Sequence, residues 1–448
     1  MNQKKHNIDM TQGPILKNVI RFVIPLIIGN ILQLLYNAAD LIVVSRWAGS
    51  SAMASVGATG SLCALVVNLC IGLSVGASVI VSRNFGAKNE DALHRSVHTA
   101  VALSIVSGLF GLILGISLSK TMLVLIGTPE GKVLDGAIVY MIIYFLGFPA
   151  SMIYNFGASI LRAIGDTKRP LYILSASGIV NVVLNLVFVI KFHMGVAGVA
   201  IATAVSSYIS AVWVIMILRK NEGACKLYIR KIKFHPGELK TALKIGIPAS
   251  IQSSVFSLSN TLIQFAVNSF GTAAISGSAA AANIEGFVYT AMNAFYQATL
   301  TSVSQNYGAK KEKRVYRSVI ICILSVSVVG FILGLLTVVF ADNLLGIYIT
   351  DSADAIAFGK IKVIYTGLPY FLCGIMEVMA GALRGIGHSN IGMVNSLIGA
   401  CGMRILWVLF ILPLNRTPEM LFLCWSVSWI IVIIMHTVSF LVVRKKSF

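Results

Sequence analysis

The chain has 448 residues, 57% of them hydrophobic and only 11% charged, with a mean hydropathy of +0.86. Ordinary soluble domains carry about 25% charged residues, so the composition excludes a soluble globular protein and indicates a polytopic membrane protein. The formal charge of +19 is spread over short loops and gathers on no single domain, which argues against a nucleic-acid partner.

Met1–Gly13 is polar, with Lys4 and Lys5, and no short apolar core with a small-residue cleavage site precedes the first span. That span is therefore expected to be an uncleaved membrane helix. Spans need about 20 apolar residues each, and twelve are expected, at 22–45, 53–82, 96–119, 133–161, 170–191, 194–218, 245–270, 276–305, 318–341, 357–383, 389–412 and 419–443. Several approach 30 residues, about 45 Å at 1.5 Å per residue, and must tilt, kink or project beyond the bilayer. Pro25, Pro149, Pro248 and Pro369 are the expected kink sites. The seven cysteines form no CxxC pair, and six lie in or beside apolar spans, so they read as small core residues.

Twelve spans put both termini on one side. Of the 35 Lys and Arg residues, 27 fall in terminus-side segments and 8 on the opposite side, which places both termini in the cytoplasm of a cell-membrane protein. The largest such loop holds Lys220, Lys226, Arg230, Lys231, Lys233 and Lys240, and reads as a topology signal and solvated linker. It divides the chain into an N-lobe (1–218), a cytoplasmic linker (219–244) and a C-lobe (245–448).

The halves repeat each other. RNFGAKNEDALHRSV at 83–97 matches QNYGAKKEKRVYRSV at 305–319, and LRAIGD at 161–166 matches LRGIGH at 383–388, both at an offset of 222. The pairs Ile24-Pro25 and Ile247-Pro248 are offset by 223. Each half has an even number of spans, so the repeats are parallel, and alternating access by rocking of the lobes is the favoured mechanism.

Three acids lie well inside spans: Asp40, Glu285 and Glu377. A charge at bilayer depth costs roughly 2.5–3.5 kcal/mol on insertion scales and demands a partner, a watered cavity or a proton. Their repeat-mates are Leu262 or Ile263, Cys63 and Asn155, so the charges were not duplicated with the fold. Asn181 and Asn185, spaced i, i+4 in a span running the same way as the first, are placed by depth counting to hydrogen-bond Asp40. Asp40, Asn181, Asn185, Glu285 and Glu377 are therefore the candidate ion-coupling residues. Gln33, Tyr36, Asn37, Asn260, Gln264 and Asn293 are candidate substrate-cavity residues. Arg384 is two turns from Glu377, about 10 Å along the axis. Positive charges inside the spans are nearly absent, Arg404 being the main exception, so a central cavity should prefer cations.

Catalytic motifs fail. Gly72-Leu73-Ser74-Val75-Gly76 spells GxSxG but sits mid-span without the strand-turn-helix context of a hydrolase elbow, and helix packing explains it better. His94 and His98 have no third metal ligand in view, and GTPEGK at 127–132 has the wrong spacing for a phosphate-binding loop. No enzyme activity, cofactor or metal centre is expected, and transport would be driven by an ion gradient.

GPILKNVIRFVIPLIIGNILQLLYNAADLIVVSRWAG at 13–49, RNFGAKNED at 83–91, ILRAIGDTKRP at 160–170 and MEVMAGALRGIGHS at 376–389 resemble the multidrug and toxic compound extrusion (MATE) family, its DinF-like branch more than its NorM-like branch. The resemblance implies an all-α membrane protein of two six-helix bundles around a V-shaped cavity. It also implies proton- or sodium-driven export of small organic cations by a monomer, with sodium, where used, held at the coupling acids. In the DinF-like branch the first-helix acid, here Asp40, and a fifth-helix polar cluster, matched by Asn181, form the ion site; position 185 is Asn where many members carry Asp. Glu377 matches a tenth-helix acid implicated in other members. The alternative within the superfamily is a flippase of lipids or lipid-linked oligosaccharides, whose phosphates call for a basic cavity.

Overall fold

The structure, a computed structural model, describes residues 7–350 and 352–447. Among these, twelve long helical segments follow one another. The first six are α1 (Ile15–Ala48), α2 (Ser50–Gly86), α3 (Glu90–Leu125), α4 in two arms (Lys132–Leu146 and Phe148–Ala163), α5 (Lys168–Lys191) and α6 (Gly195–Lys220). The second six are α7 (Pro236–Asn268), α8 (Thr272–Gly308), α9 (Glu312–Val339), α10 in two arms (Ala353–Gly367 and Tyr370–Gly385), α11 (Ser389–Leu414) and α12 (Pro418–Ser447). Eight of these are long and apolar enough to cross a membrane singly, and α4 and α10 qualify as bent pairs, at 47° and 42°. α7 and α8 are more polar but reach 33 and 37 residues. The protein is an all-α membrane protein of two six-helix repeats.

Prolines act unequally. α4 breaks at Gly147, with Pro149 in the first turn of the new arm, and α10 breaks at Leu368–Pro369. A proline there costs little, because first-turn N–H groups have no intrahelical acceptor. Pro25 and Pro248 instead lie within unbroken helices.

The duplication is written into the backbone. Left-handed residues occur at Lys88 and Lys310 (φ 54° and 56°), at Gly49 and Gly271 (87° and 98°), and at Gly165 and Gly387 (86° and 91°), each pair 222 residues apart. A helix stop of this kind is a local property that survives sequence drift.

The chain divides into two compact units, one built on Ile28–Ser250 and the other on Asp9–Ile27 with Ile251–Phe448. In the first, α2, α3, α4 and α6 pack together and α5 lies on α6, around a core that includes Val97, Phe156, Ile160 and Leu218. In the second, α8 packs against α9 and both arms of α10, with α12 on the second arm.

The linker, expected to be solvated, is docked, and so is the polar segment before α1. The linker buries Cys225 and Leu227; the Tyr228 N–H donates to His98 Nε2 (3.1 Å) and the His235 N–H to Thr99 Oγ1 (3.2 Å) on α3. Burial pushes the Cys225 thiol up to about 12. In the second unit, Met10 is buried at 1% exposure. Its N–H donates to Gln305 Oε1, its carbonyl accepts from Asn306 and Arg314, and Lys311 donates to the Thr11 carbonyl. Arg314 also reaches the carbonyls of Gln12 and Gly13. The basic repeat motif of the second half is thus occupied by the N-terminal arm.

The GxSxG stretch is a helix contact. Ser74 donates to the Ile71 carbonyl, and a Cβ at Gly76 would stand 2.1 Å from the Ala242 carbonyl oxygen on α7. Backbone cannot swing aside like a side chain, so Gly76→Ala should lower the detergent-solubilised protein's stability by about 1–3 kcal/mol. A thermal unfolding series monitored by size exclusion checks this. Ser74→Ala should leave the melting temperature nearly unchanged.

Candidate functional site

In the first unit the polar centre is built from α1, α5 and α6. Gln33, Asn37 and Asp40 follow one another at helical spacing along α1, Gln33 and Asn37 exposed and Asp40 half-buried. The Tyr36 hydroxyl donates to the Ser175 carbonyl (3.1 Å) on α5. Its ring covers Gly178, where any Cβ would meet a ring carbon at 1.9 Å. That contact seats α1 on the helix carrying Asn181 and Asn185, both buried. Asn185 Nδ2 donates to Asp40 Oδ1 and to Asn181 Oδ1 (3.4 Å), and Asn181 Nδ2 donates to Thr203 Oγ1 (3.5 Å) on α6. The structure therefore brings together Asp40, Asn181 and Asn185, and adds Thr203, which no sequence signal singled out.

The centre is rich in oxygen and holds no base. Asn185 Oδ1 is buried and accepts no hydrogen bond. Asp40 forms no salt bridge with a described residue. A carboxylate, two amide oxygens and a hydroxyl, one acceptor still open, suit a proton or a hard monovalent cation.

The second unit is different. Glu285 on α8 accepts from the Thr366 hydroxyl and lies 3.6 Å from Lys362 Nζ, both on the first arm of α10. Lys362 also donates to the Ser278 carbonyl (3.0 Å), two turns before Glu285 on the same face of α8. Arg384 donates to the Tyr296 hydroxyl (2.5 Å) and Gln252 Oε1 (2.8 Å), not to Glu377. Glu377 is half-buried with no hydrogen bond or ion pair to a described residue, and lies within electrostatic reach of Arg384 and Tyr289. Asn293 bonds Tyr289, Gln264 donates to Asn268 (2.9 Å), and Asn260 accepts from Arg404 (3.3 Å).

This corrects the expectation that bases are nearly absent from the spans. Lys362 and Arg384 are buried alongside Arg404. Lys362 was visible as a lysine inside the expected tenth span but reads as a loop residue by its nearness to the span's start. Only the fold shows it turned onto α8.

Known proteins share the repeat and the fold. The MatE family model matches the chain twice, at residues 25–187 and 248–409, once per repeat. The chain belongs to the MatE family. It is 26% identical over 391 residues to the probable multidrug resistance protein YoeA of Bacillus subtilis, covering 86% of this chain and 84% of that protein. It is 26% identical over 399 residues to the probable multidrug resistance protein NorM of Thermotoga maritima, covering 87% and 84%. The fold matches an outward-facing multidrug resistance MATE family transporter of the MOP superfamily with a TM-score of 0.90 at 20% identity, over 98% of each chain. MatE proteins are multi-pass membrane transporters and not enzymes, and in this member the acids of the polar centres have no acidic counterpart in the other half.

Removing one partner of a buried ion pair strands the other and costs about 3–5 kcal/mol. Lys362→Met should destabilise the protein on that scale, and adding Glu285→Gln should recover more than half of the loss. Melting temperatures of the two single variants and the double variant measure the coupling.

Proposed function

We propose that this chain is a secondary antiporter that exports small organic cations in exchange for protons or sodium ions by alternating access, with Asp40 as the coupling acid of a DinF-like N-lobe site. The observation that carries the reading is the contact of Asp40 with Asn185 and not with a base. A fixed cation would hold the carboxylate charged at all times, whereas amide partners serve it in either state, so an ion and a substrate can compete for it. Buried acids inside spans mark ion pathways in membrane proteins generally. Glu377 is the second acid of this reading, since it too lacks a fixed partner. Glu285 becomes structural, held by Lys362 and Thr366.

The basic-residue bias supports cytoplasmic termini, and the mode of action requires only the single chain in a cell membrane. The names of the relatives, which describe multidrug resistance proteins, support a drug-like substrate. The flippase reading gains little from the newly found bases, because Lys362 and Arg384 are consumed by Glu285, Ser278, Tyr296 and Gln252.

In liposomes containing the purified protein, separately imposed proton and sodium gradients should show which ion drives efflux of a cationic dye. Asp40→Asn should reduce that efflux to the level of empty vesicles while the protein still elutes as a single species. Undiminished efflux by this variant would exclude Asp40 as the coupling group.

A further inference from the structure

The linker leaves α6 at Lys220 and enters α7 at Pro236, and its 15 residues, 221–235, could reach about 50 Å if extended. It is held close instead. The Leu227 N–H donates to the Leu218 carbonyl (2.9 Å) near the end of α6, one residue before the bond from Tyr228 to His98 on α3. Leu218 closes the sixth span expected from the sequence, and His98 stands third in the expected third span. These two bonds fix the chain at the depth where two spans end, which is the headgroup layer of a bilayer.

The groups exposed there are of two kinds. Tyr228, Ile229 and Phe234 stand 41–53% exposed, and Arg230, Lys231 and Lys233 are exposed among them. The ammonium groups of Lys226 and Lys231 lie 5.4 and 5.0 Å from the centre of the Tyr228 ring. No carboxylate of a described residue forms an ion pair with any of these bases. From Arg219 to Lys244 there are eight Lys and Arg against two acids, Glu222 and Glu238, and Glu238 is paired with Arg95 on α3 (2.7 Å). Apolar side chains open to water forgo the gain of burial, and clustered like charges repel. A surface that is anionic outside and apolar within relieves both.

We propose that the linker segment Tyr228–Phe234 is a docking surface for anionic phospholipids of the adjoining leaflet. Its bases take the headgroup phosphates, and Tyr228, Ile229 and Phe234 enter the boundary with the acyl chains. A lipid surface fits better than a dissolved phosphate, because bases and apolar groups alternate along one short segment and a dissolved phosphate has no use for the second kind. The proposal rests on the reading of the linker as cytoplasmic only for which leaflet supplies the lipid.

The test is amide hydrogen exchange, read by mass spectrometry, on the full-length protein in lipid nanodiscs. Discs of phosphatidylcholine are compared with discs that also contain phosphatidylglycerol; each composition is the same on both faces, so the orientation of the protein does not enter. Exchange over Ile229–Phe234 should be roughly five-fold or more slower in the anionic discs, the scale of one basic side chain at an anionic surface. Sodium chloride at about 1 M should remove the difference, because the Debye length is then only about 3 Å. The triple variant Arg230→Gln, Lys231→Gln, Lys233→Gln should exchange equally in both discs, whereas Lys17→Gln with Lys313→Gln, exposed bases elsewhere in the chain, should keep the difference. Inorganic phosphate added to the neutral discs should leave exchange unchanged. Equal exchange of the wild type in the two discs, protection that survives in the triple variant, its loss in the Lys17 and Lys313 variant, or protection by free phosphate would overturn the proposal. If the triple variant fails to purify as a single species, the wild-type comparison and its salt dependence carry the test. No gradient and no dye is involved, so failure of the export reading leaves this result standing.

Discussion

A charge inside an apolar, membrane-spanning interior must have a partner, and the kind of partner decides what the charge can do. Glu285 has an ammonium and a hydroxyl, Arg384 has a phenol and an amide, and both are thereby fixed in place. Asp40 has an amide. Nothing in that contact compels it to stay ionised, and on the proposed reading this difference separates an acid that responds to ions from one that ties helices together. The seating of α1 on α5 through Tyr36 and Gly178 can be understood as the means of delivering Asp40 to that amide.

The π-helical turns follow the same polar groups. Among the described residues they occur at Val44–Ala48, Val187–Lys191, Val363–Gly367, Leu397–Gly402 and Trp407–Ile411. The first begins four residues after Asp40, the second two residues after Asn185, the third contains Thr366, and the last two flank Arg404. Such turns are rare and gather at functional positions, because the extra residue re-aims the side chains on either side of it. Four polar residues on four helices lie in or beside such turns. At the 222-residue offset Val187–Lys191 overlaps Trp407–Ile411, whereas the other three have no counterpart among the described residues, so the widened turns diverged only in part.

Much of this was legible from the chain alone, for identifiable reasons. Helical spans show in hydropathy, and the repeat shows in motifs that encode left-handed stops at Lys88 and Lys310 and at Gly165 and Gly387. Asp40 and Asn185 could be matched because depth along two co-directional helices is a countable quantity. Lys362 could not, because an ammonium near the start of a span looks like a loop residue until the neighbouring face of α8 is known. The docking of Met10 on Gln305, Asn306 and Arg314 joins positions about 300 residues apart, and no local pattern encodes it.

Duplication followed by divergence gives the two halves unequal chemistry on equal frames. The turns that set helix directions kept their backbone conformation, whereas Asp40, Glu285, Glu377 and Arg404 each stand in one half only. Had the polar residues served mainly to hold helices together, the same packing problem posed twice would favour the same solution twice. The first half keeps an acid with neutral oxygen partners; the second adds Lys362 and Arg404, where the 222-residue offset places Tyr140 and Val182 in the first. On the proposed reading, ion coupling then falls to the half that can change charge without disturbing its packing.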